Sequence, residues 1–219
     1  MIPAPAGRRL VRLALGLVLY AVSIALLVCA ELGNMPWDVL SQGVAPRTGA
    51  SFGTVTLVLS ALVLACWIPL RQRPGFGTIA NVLVIGVLVD PFLALFGGLA
   101  DVPLPVRVLV VVAGIALNAL ATALYVGAGL GPGPRDGLMT GLVARTGRSV
   151  ALVRTSIEVV VVLTGMLLGG RFGVGTVAYA LLVGPLVHVL LPRLSVTGTT
   201  TPTTGAQVLP DEPDRAPVR

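Results

Sequence analysis

Lysine is missing from this 219-residue chain, whose 15 basic residues are all arginines, set against nine acidic ones. Charged residues of any kind make up only 11% of the sequence, too few to cover the surface of a water-soluble domain of this length. A net charge of +6 would point to nucleic acid if it were gathered on one face. Here the arginines stand in short clusters between apolar stretches, with no aromatic-interleaved basic segment, so no nucleic-acid partner is expected. Cysteine is scarce as well: Cys29 and Cys66 are too few for a disulfide framework or a zinc site, and both are expected to be buried thiols lying near opposite faces of a bilayer. The single histidine, His188, sits inside an apolar stretch. Walker A, His-Glu-x-x-His, Gly-x-Ser-x-Gly and dinucleotide fingerprints are all lacking, so the chain is not expected to be an enzyme or to hold a cofactor or a metal.

What the chain has in abundance is apolar. Hydrophobic residues form 55% of it, and its mean hydropathy is +0.96. Six apolar stretches, approximately 10–30, 51–70, 77–99, 106–127, 149–169 and 174–192, are long enough to cross a hydrocarbon core of about 30 Å as helices. Runs such as Val108 to Ala113 do not alternate in polarity, which argues against barrel strands. Arg8, Arg9 and Arg12 ahead of Leu13–Ala30 imitate a signal peptide, but the apolar run is too long and recurs in mid-chain. Residues 1–9 are expected to form a cytoplasmic N-terminus, and residues 195–219, rich in Thr, Pro and acid, a disordered cytoplasmic tail.

The chain repeats itself. Leu-Gly33-Asn-Met-Pro36-Trp-Asp38-Val-Leu40 returns as Leu-Gly131-Pro-Gly-Pro134-Arg-Asp136-Gly-Leu138, an offset of 98 positions that then holds without a gap. Arg47-Thr-Gly49-x-Ser51 matches Arg145-Thr-Gly147-x-Ser149, Gly75-x-Gly77-Thr78 matches Gly173-x-Gly175-Thr176, and Gly86 matches Gly184. Roughly a third of positions from Arg12 to Phe92 are identical in the copy, more than shared hydrophobicity produces. The two membrane repeats are residues 10–99 and 106–192.

Each copy carries three spans, an odd number, so the second is expected to enter the membrane upside down relative to the first. With the N-terminus inside, nine arginines (8, 9, 12, 71, 73, 135, 145, 148 and 193) lie in cytoplasmic segments and three (Arg47, Arg107 and Arg171) outside, as the positive-inside rule requires. The expected fold is therefore an all-α integral membrane protein of about six transmembrane helices in two inverted three-helix repeats. Each repeat adds a short segment, Pro36–Ala45 or Pro134–Ala144, that reaches only about 16 Å and reads as an interfacial or re-entrant helix.

Asp38 and Asp136 each follow a proline by two residues, where a carboxylate can face the positive end of a helix. Capping alone accounts for that placement. The functional reading is that two half-helices, entered through Gly33 and Gly131 and begun by Pro36 and Pro134, meet in mid-membrane and form a solute or ion site. Asp90 and His188 share one repeat position and read either as packing residues near the end of a span or as gating or proton-linked groups. Arg154 and Glu158, four apart on one span, are expected to pair and are further candidates for a polar cavity. Asn81, Asn118 and Thr122 offer hydrogen bonds between helices, Glu31 reads as an interfacial anchor, and Gly49-x-x-x-Gly53, Gly127-x-x-x-Gly131 and Gly165-x-x-x-Gly169 as close-packing faces.

The motifs Leu-Gly-x-x-Pro-Trp-Asp38-Val-Leu, Trp67-Ile-Pro-Leu-Arg-Gln-Arg-Pro-Gly75-x-Gly77-Thr and Gly-Pro-Arg-Asp136-Gly-Leu-Met, in that order, resemble the YczE/YitT-type bacterial multispanning membrane proteins. The resemblance covers roughly residues 8–192 and implies a multi-pass protein of the bacterial plasma membrane, with Asp38 and Asp136 as the acidic positions of its motifs. Asn34 and Met35 depart from the Gly-Pro pattern of the second copy, which implies half-sites that are not equivalent. Two functions fit: a secondary transporter or channel for a small solute with its coupling ion, or a non-transporting scaffold or accessory subunit. Partners expected beyond the lipid bilayer are a second copy of the chain or another membrane protein.

Overall fold

The computed structural model describes residues 5–196. The expected disorder of 197–219 therefore falls outside the described residues. Within them the chain is helical throughout: α1 (Ala6–Ala30), α2 (Pro36–Thr48), α3 (Phe52–Leu70), α4 (Phe76–Phe96), α5 (Leu104–Gly127), α6 (Pro134–Thr146), α7 (Val150–Leu167) and α8 (Val174–Leu194), with one 3-10 turn at Gly97–Ala100. Six of these, α1, α3, α4, α5, α7 and α8, are long and apolar enough to cross a membrane. Their outward faces carry large apolar side chains such as Ile68, Leu167 and Val174, each at least 78% exposed, a surface suited to lipid.

The helix starts obey the sequence offset: Pro36 and Pro134, Phe52 and Val150, Phe76 and Val174 each differ by 98. Local chemistry sets these starts alike in both copies. Pro36 and Pro134 occupy first turns, where a missing N–H costs nothing. The Ser51 and Ser149 hydroxyls accept from the Thr54 and Leu152 amides. Gly49 and Gly147, with φ of +69° and +65°, end α2 and α6 in the left-handed conformation that glycine adopts without steric cost.

α1 and α5 form the central pair and run antiparallel. Gly16, early in α1, lies against Tyr125 and Ala121 late in α5, while Gly114, early in α5, lies against Leu26 and Leu27 late in α1. Arginines close both ends of this pair. Arg9 of α1 donates to the Ala128 carbonyl after α5 (2.7 Å), and Arg107 of α5 donates to the Ala30 carbonyl ending α1 (2.8 Å). All four residues obey the offset of 98, as do Arg47, which donates to the Leu167 carbonyl at the end of α7 (3.3 Å), and Arg145, which donates to the Pro69 carbonyl near the end of α3. A guanidinium on terminal carbonyls satisfies orphan acceptors and complements the negative end of a helix. Arginines whose positions alone argue for membrane orientation thus also fasten one copy to the other.

The repeated glycine motifs are explained in the same way. The Leu130 carbonyl accepts from the Gly77 amide at the start of α4 (2.7 Å), and the Leu32 carbonyl accepts from the Gly175 amide at the start of α8 (2.8 Å). Leu-Gly33 therefore packs on Gly173-x-Gly175-Thr, and Leu-Gly131 on Gly75-x-Gly77-Thr, across copies rather than within them. Gly33 and Gly131, with φ of +115° and +125°, make the tight approach, and a Cβ on either would clash with the facing glycine. α2 packs on α7, α6 packs on α3, α4 packs on α1, and α8 packs on α5.

One relation is broken. α3 lies along α4, with Gly53 against Gly86 and the Asp90 carboxylate accepting from the Gly53 amide (2.8 Å). α7 and α8 make no comparable contact, and the space beside Gly184, the counterpart of Gly86, is empty.

Several expectations need amendment. α1 starts at Ala6, so the first helix takes in residues 6–9 ahead of the expected span at 10–30, and Arg9 is buried. Ser195 and Val196 do not join a loose tail: the Val196 amide donates to the Gly127 carbonyl (3.0 Å). Cys29 is buried as expected, but Cys66 is exposed because it falls on the outward face of α3. Glu31 pairs with Arg171 and ends α1 with a positive φ of 53°.

Candidate functional site

The first turns of α2 and α6 meet between the copies. Asp38, in the first turn of α2, is completely buried, and its Oδ1 lies 3.4 Å from Arg135 in the first turn of α6. Burial pushes the Asp38 carboxyl above the usual carboxylate range, while the Arg135 guanidinium opposes that push. Asp38 Oδ2 has no hydrogen-bond partner among the described residues. The Arg135 guanidinium also stands over the Trp37 ring, 5.2 Å from its centroid, a cation–π arrangement that holds its plane. Asp136 occupies the matching first turn of α6 and accepts a hydrogen bond from the Tyr125 hydroxyl (3.1 Å).

Around this junction lie two cavities. The larger, about 90 Å³, is bounded by α1, α2, α6, α7 and α8 and receives Arg154, Glu158 and Tyr179. The smaller, about 50 Å³, receives Thr56, Ser60 and Asn81 from α3 and α4. Adding 98 to Thr56, Ser60 and Asn81 gives Arg154, Glu158 and Tyr179, so the two cavities are counterparts under the repeat. Tyr20, Arg135 and Asp136 line both and form the partition between them. The lobes differ in chemistry, because the first copy supplies neutral hydroxyls and an amide where the second supplies an ion pair and a phenol.

A buried polar chain supports the partition from behind. The Tyr179 hydroxyl donates to Asn118 Oδ1 (2.8 Å), and Asn118 Nδ2 donates to the Ser23 hydroxyl (2.8 Å), so the amide is used at both ends. Tyr20 stands edge-on to Tyr125 with ring centroids 6.0 Å apart.

The sequence-derived candidates are distributed unevenly. Asp136, Pro36 and Pro134 line the cavities; Asp38 is behind Arg135 and lines neither; Gly33 and Gly131 belong to the contacts between copies. Arg154 and Glu158 pair at 2.9 Å, as their spacing predicts, and also face the larger cavity. Asp90 binds the Gly53 amide, and His188 is exposed on α8; neither lines these cavities. The tyrosines were missed. The chain has three, Tyr20, Tyr125 and Tyr179, and all converge here from inside apolar helices. Tyr20 in mid-span and Tyr179 more than a turn inside its helix, in a chain with so few aromatics, were the available signal, whereas Tyr125 lies near the end of α5. Among the described residues, no three His, Cys, Asp or Glu side chains gather as metal ligands.

Comparison with known proteins places this architecture. A 39% identical protein of Haemophilus influenzae, named only as uncharacterized, aligns over 189 residues, 81% of this chain and 83% of its own length. The uncharacterized membrane protein YczE of Bacillus subtilis is 30% identical over 180 residues, covering 81% of this chain and 83% of YczE. The uncharacterized protein YyaS of the same organism is 24% identical over 180 residues. No solved structure matches. The model of the family described as a family of unknown function, DUF6198, matches residues 7–192, which takes in every helix from the first turn of α1 to α8, and this multi-pass membrane chain belongs to that family.

Proposed function

We propose that this protein is a small secondary transporter, a non-enzymatic carrier of a small solute, built from two inverted copies of one three-span unit in the bacterial plasma membrane. The observation that carries the proposal is the pair of repeat-related cavities that share Tyr20, Arg135 and Asp136 as a common partition. Two half-helices whose positive ends converge on carboxylates beside a polar cavity form a recurring solute site of such carriers. Inversion is supported by the antiparallel contacts of α1 with its own repeat α5, and by the reciprocal arginine and glycine contacts that obey one offset. α2 and α6 then act as re-entrant half-helices: at 13 residues each they reach about 20 Å, and they meet at Asp38 and Arg135.

The broken symmetry supplies the two states that alternating access needs. α3 and α4, which bound the smaller lobe, are fastened through Gly53, Gly86 and Asp90, while α7 and α8, which bound the larger, lie apart; in this reading the smaller lobe belongs to the closed arrangement and the larger to the open one. Exchange of the two arrangements would expose the partition first to one side and then to the other. Asp90 acts in this scheme as the latch on the first copy, and His188 holds the corresponding position on the second.

Two measurements test the reading. Single cysteines placed at Arg47 and Arg145 in a cysteine-free background are expected to label from opposite faces of the cell membrane, with position 145 and both termini cytoplasmic; labelling of both positions from one face overturns the inversion. Reconstituted into proteoliposomes and screened against a panel of small solutes under a proton or sodium gradient, the protein is expected to give solute flux that Asp136→Asn reduces at least about tenfold. Undiminished flux in the Asp38→Asn/Asp136→Asn double variant would remove the site. A stoichiometric membrane partner without any flux would favour the scaffold.

A further inference from the structure

We infer that the larger cavity selects a small organic cation, with Asp136 as its counter-ion and the face of Tyr20 as its wall. This inference rests on the transporter reading and deepens it by naming the solute class. The argument begins with charge. Three carboxylates and two guanidiniums gather at the junction, and both guanidiniums are already engaged: Arg135 with Asp38 at 3.4 Å and Arg154 with Glu158 at 2.9 Å. The remaining ion pair among the described residues, Glu31 with Arg171, is elsewhere. Among the described residues Asp136 has no cationic partner within 4 Å, and a neutral phenol is the side chain that hydrogen-bonds it. Asp136 lines both lobes, and Asp38 Oδ2 has no hydrogen-bond partner among the described residues. Arg154 and Arg135 act on Asp136 only from a distance, without pairing with it, and a solute cation would supply the direct contact that neither makes. An anion drawn to the spare N–H donors of either guanidinium would meet the Asp136 and Glu158 carboxylates, which line the same cavity.

The second part of the argument concerns what kind of cation. Calcium and magnesium are held by six or more oxygens, and the other metal sites by a cluster of donor side chains. Beside its charged groups the cavity is lined by carbon, sulfur and aromatic rings, from Met35, Met139, Trp37, Ile157 and Tyr20. Aromatic faces attract organic cations, and flexible thioethers pack around the apolar parts of irregular solutes. The protein already uses this arrangement once, since Arg135 stands on the ring of Trp37. A volume of about 90 Å³ limits the solute to a few non-hydrogen atoms around the charged centre.

Equilibrium dialysis of the purified full-length protein with radiolabelled tetramethylammonium, which carries a permanent charge and no titratable proton, tests the inference directly. Saturable binding is expected, displaced by ethylammonium but not by acetate or glycine. Asp136→Asn is expected to weaken it at least about tenfold, Tyr20→Leu severalfold, and Tyr20→Phe little, because the ring face and not the hydroxyl makes the contact. Asp101→Asn, outside the cavity, leaves it unchanged. No saturable binding, displacement by acetate or glycine, or full binding by a folded Asp136→Asn protein overturns the assignment. If Asp136→Asn does not fold, the displacement series on the unaltered protein decides by itself. Solute flux in proteoliposomes without cation binding would leave a transporter of another solute class, so the two readings fail separately.

Discussion

Gly137→Val is expected to cost the protein about 3 kcal/mol of stability, because there is no room for any side chain at that position. A Cβ on Gly137 would overlap the ring of Trp67, which is 2% exposed and donates its indole N–H to the Pro134 carbonyl at 3.0 Å. The counterpart contact shows how the defect should be rescued. In the second copy Gly165 replaces Trp67 and lies against Val39, which replaces Gly137: the large partner is on α3 at one contact and on α2 at the other. Trp67→Gly alone should open a cavity and cost about 3–5 kcal/mol. The Trp67→Gly/Gly137→Val double variant reproduces the chemistry of the second copy and should be more stable than the sum of its parts by about 2 kcal/mol. Thermal or denaturant unfolding of the four proteins in one detergent measures this coupling, and strict additivity would show that the contact between copies does not work as a matched pair.

Arg135→Met is expected to be the most damaging change at the junction. It leaves the fully buried carboxylate of Asp38 without its cation, and removal of one partner of a buried pair costs about 3–5 kcal/mol. The sign of the pH dependence follows from the same contact. Burial raises the Asp38 carboxyl in the folded state and Arg135 opposes that rise, so the variant raises it further. A group whose folded pKa lies above its unfolded value contributes stability that is present at low pH and lost as pH rises through the folded value. The deficit of Arg135→Met should therefore shrink as pH falls into the carboxylate range, and in an Asp38→Asn background that deficit should lose most of its pH dependence. A deficit that grows on acidification would mean that Asp38 is not the group left uncompensated.

Much of this architecture was legible in the sequence because a membrane restricts the alternatives. Six apolar runs of sufficient length became six helices, and the 98-residue offset fixed which helices correspond, down to the prolines that begin α2 and α6. Arg154 and Glu158 were also readable, since a spacing of four residues places both on one helix face without reference to anything else. The cross-copy contacts were not. Gly75-x-Gly77-Thr and Leu-Gly131 are separated by more than fifty residues, and no local rule states that one packs on the other rather than on its neighbour within the same copy. Similarly, Tyr20, Tyr125 and Tyr179 come from three helices whose rotations about their axes are set by small-residue packing, so their convergence could not be computed from spacing.

The sequence by itself determined that this is a helical membrane protein made of two related units, because hydrocarbon satisfies no backbone hydrogen bond and the two units share too many residues at one offset to be independent. Only the tertiary structure decided where the polar groups of the two units meet and which lobe is fastened. That depends on contacts such as Gly53 with Asp90, where a backbone amide on one helix binds a carboxylate from another, and a second copy carrying Ala151 and His188 at the same places stays apart. Side-chain identity is written in the chain, but the distance between helices is set by packing across the whole bundle.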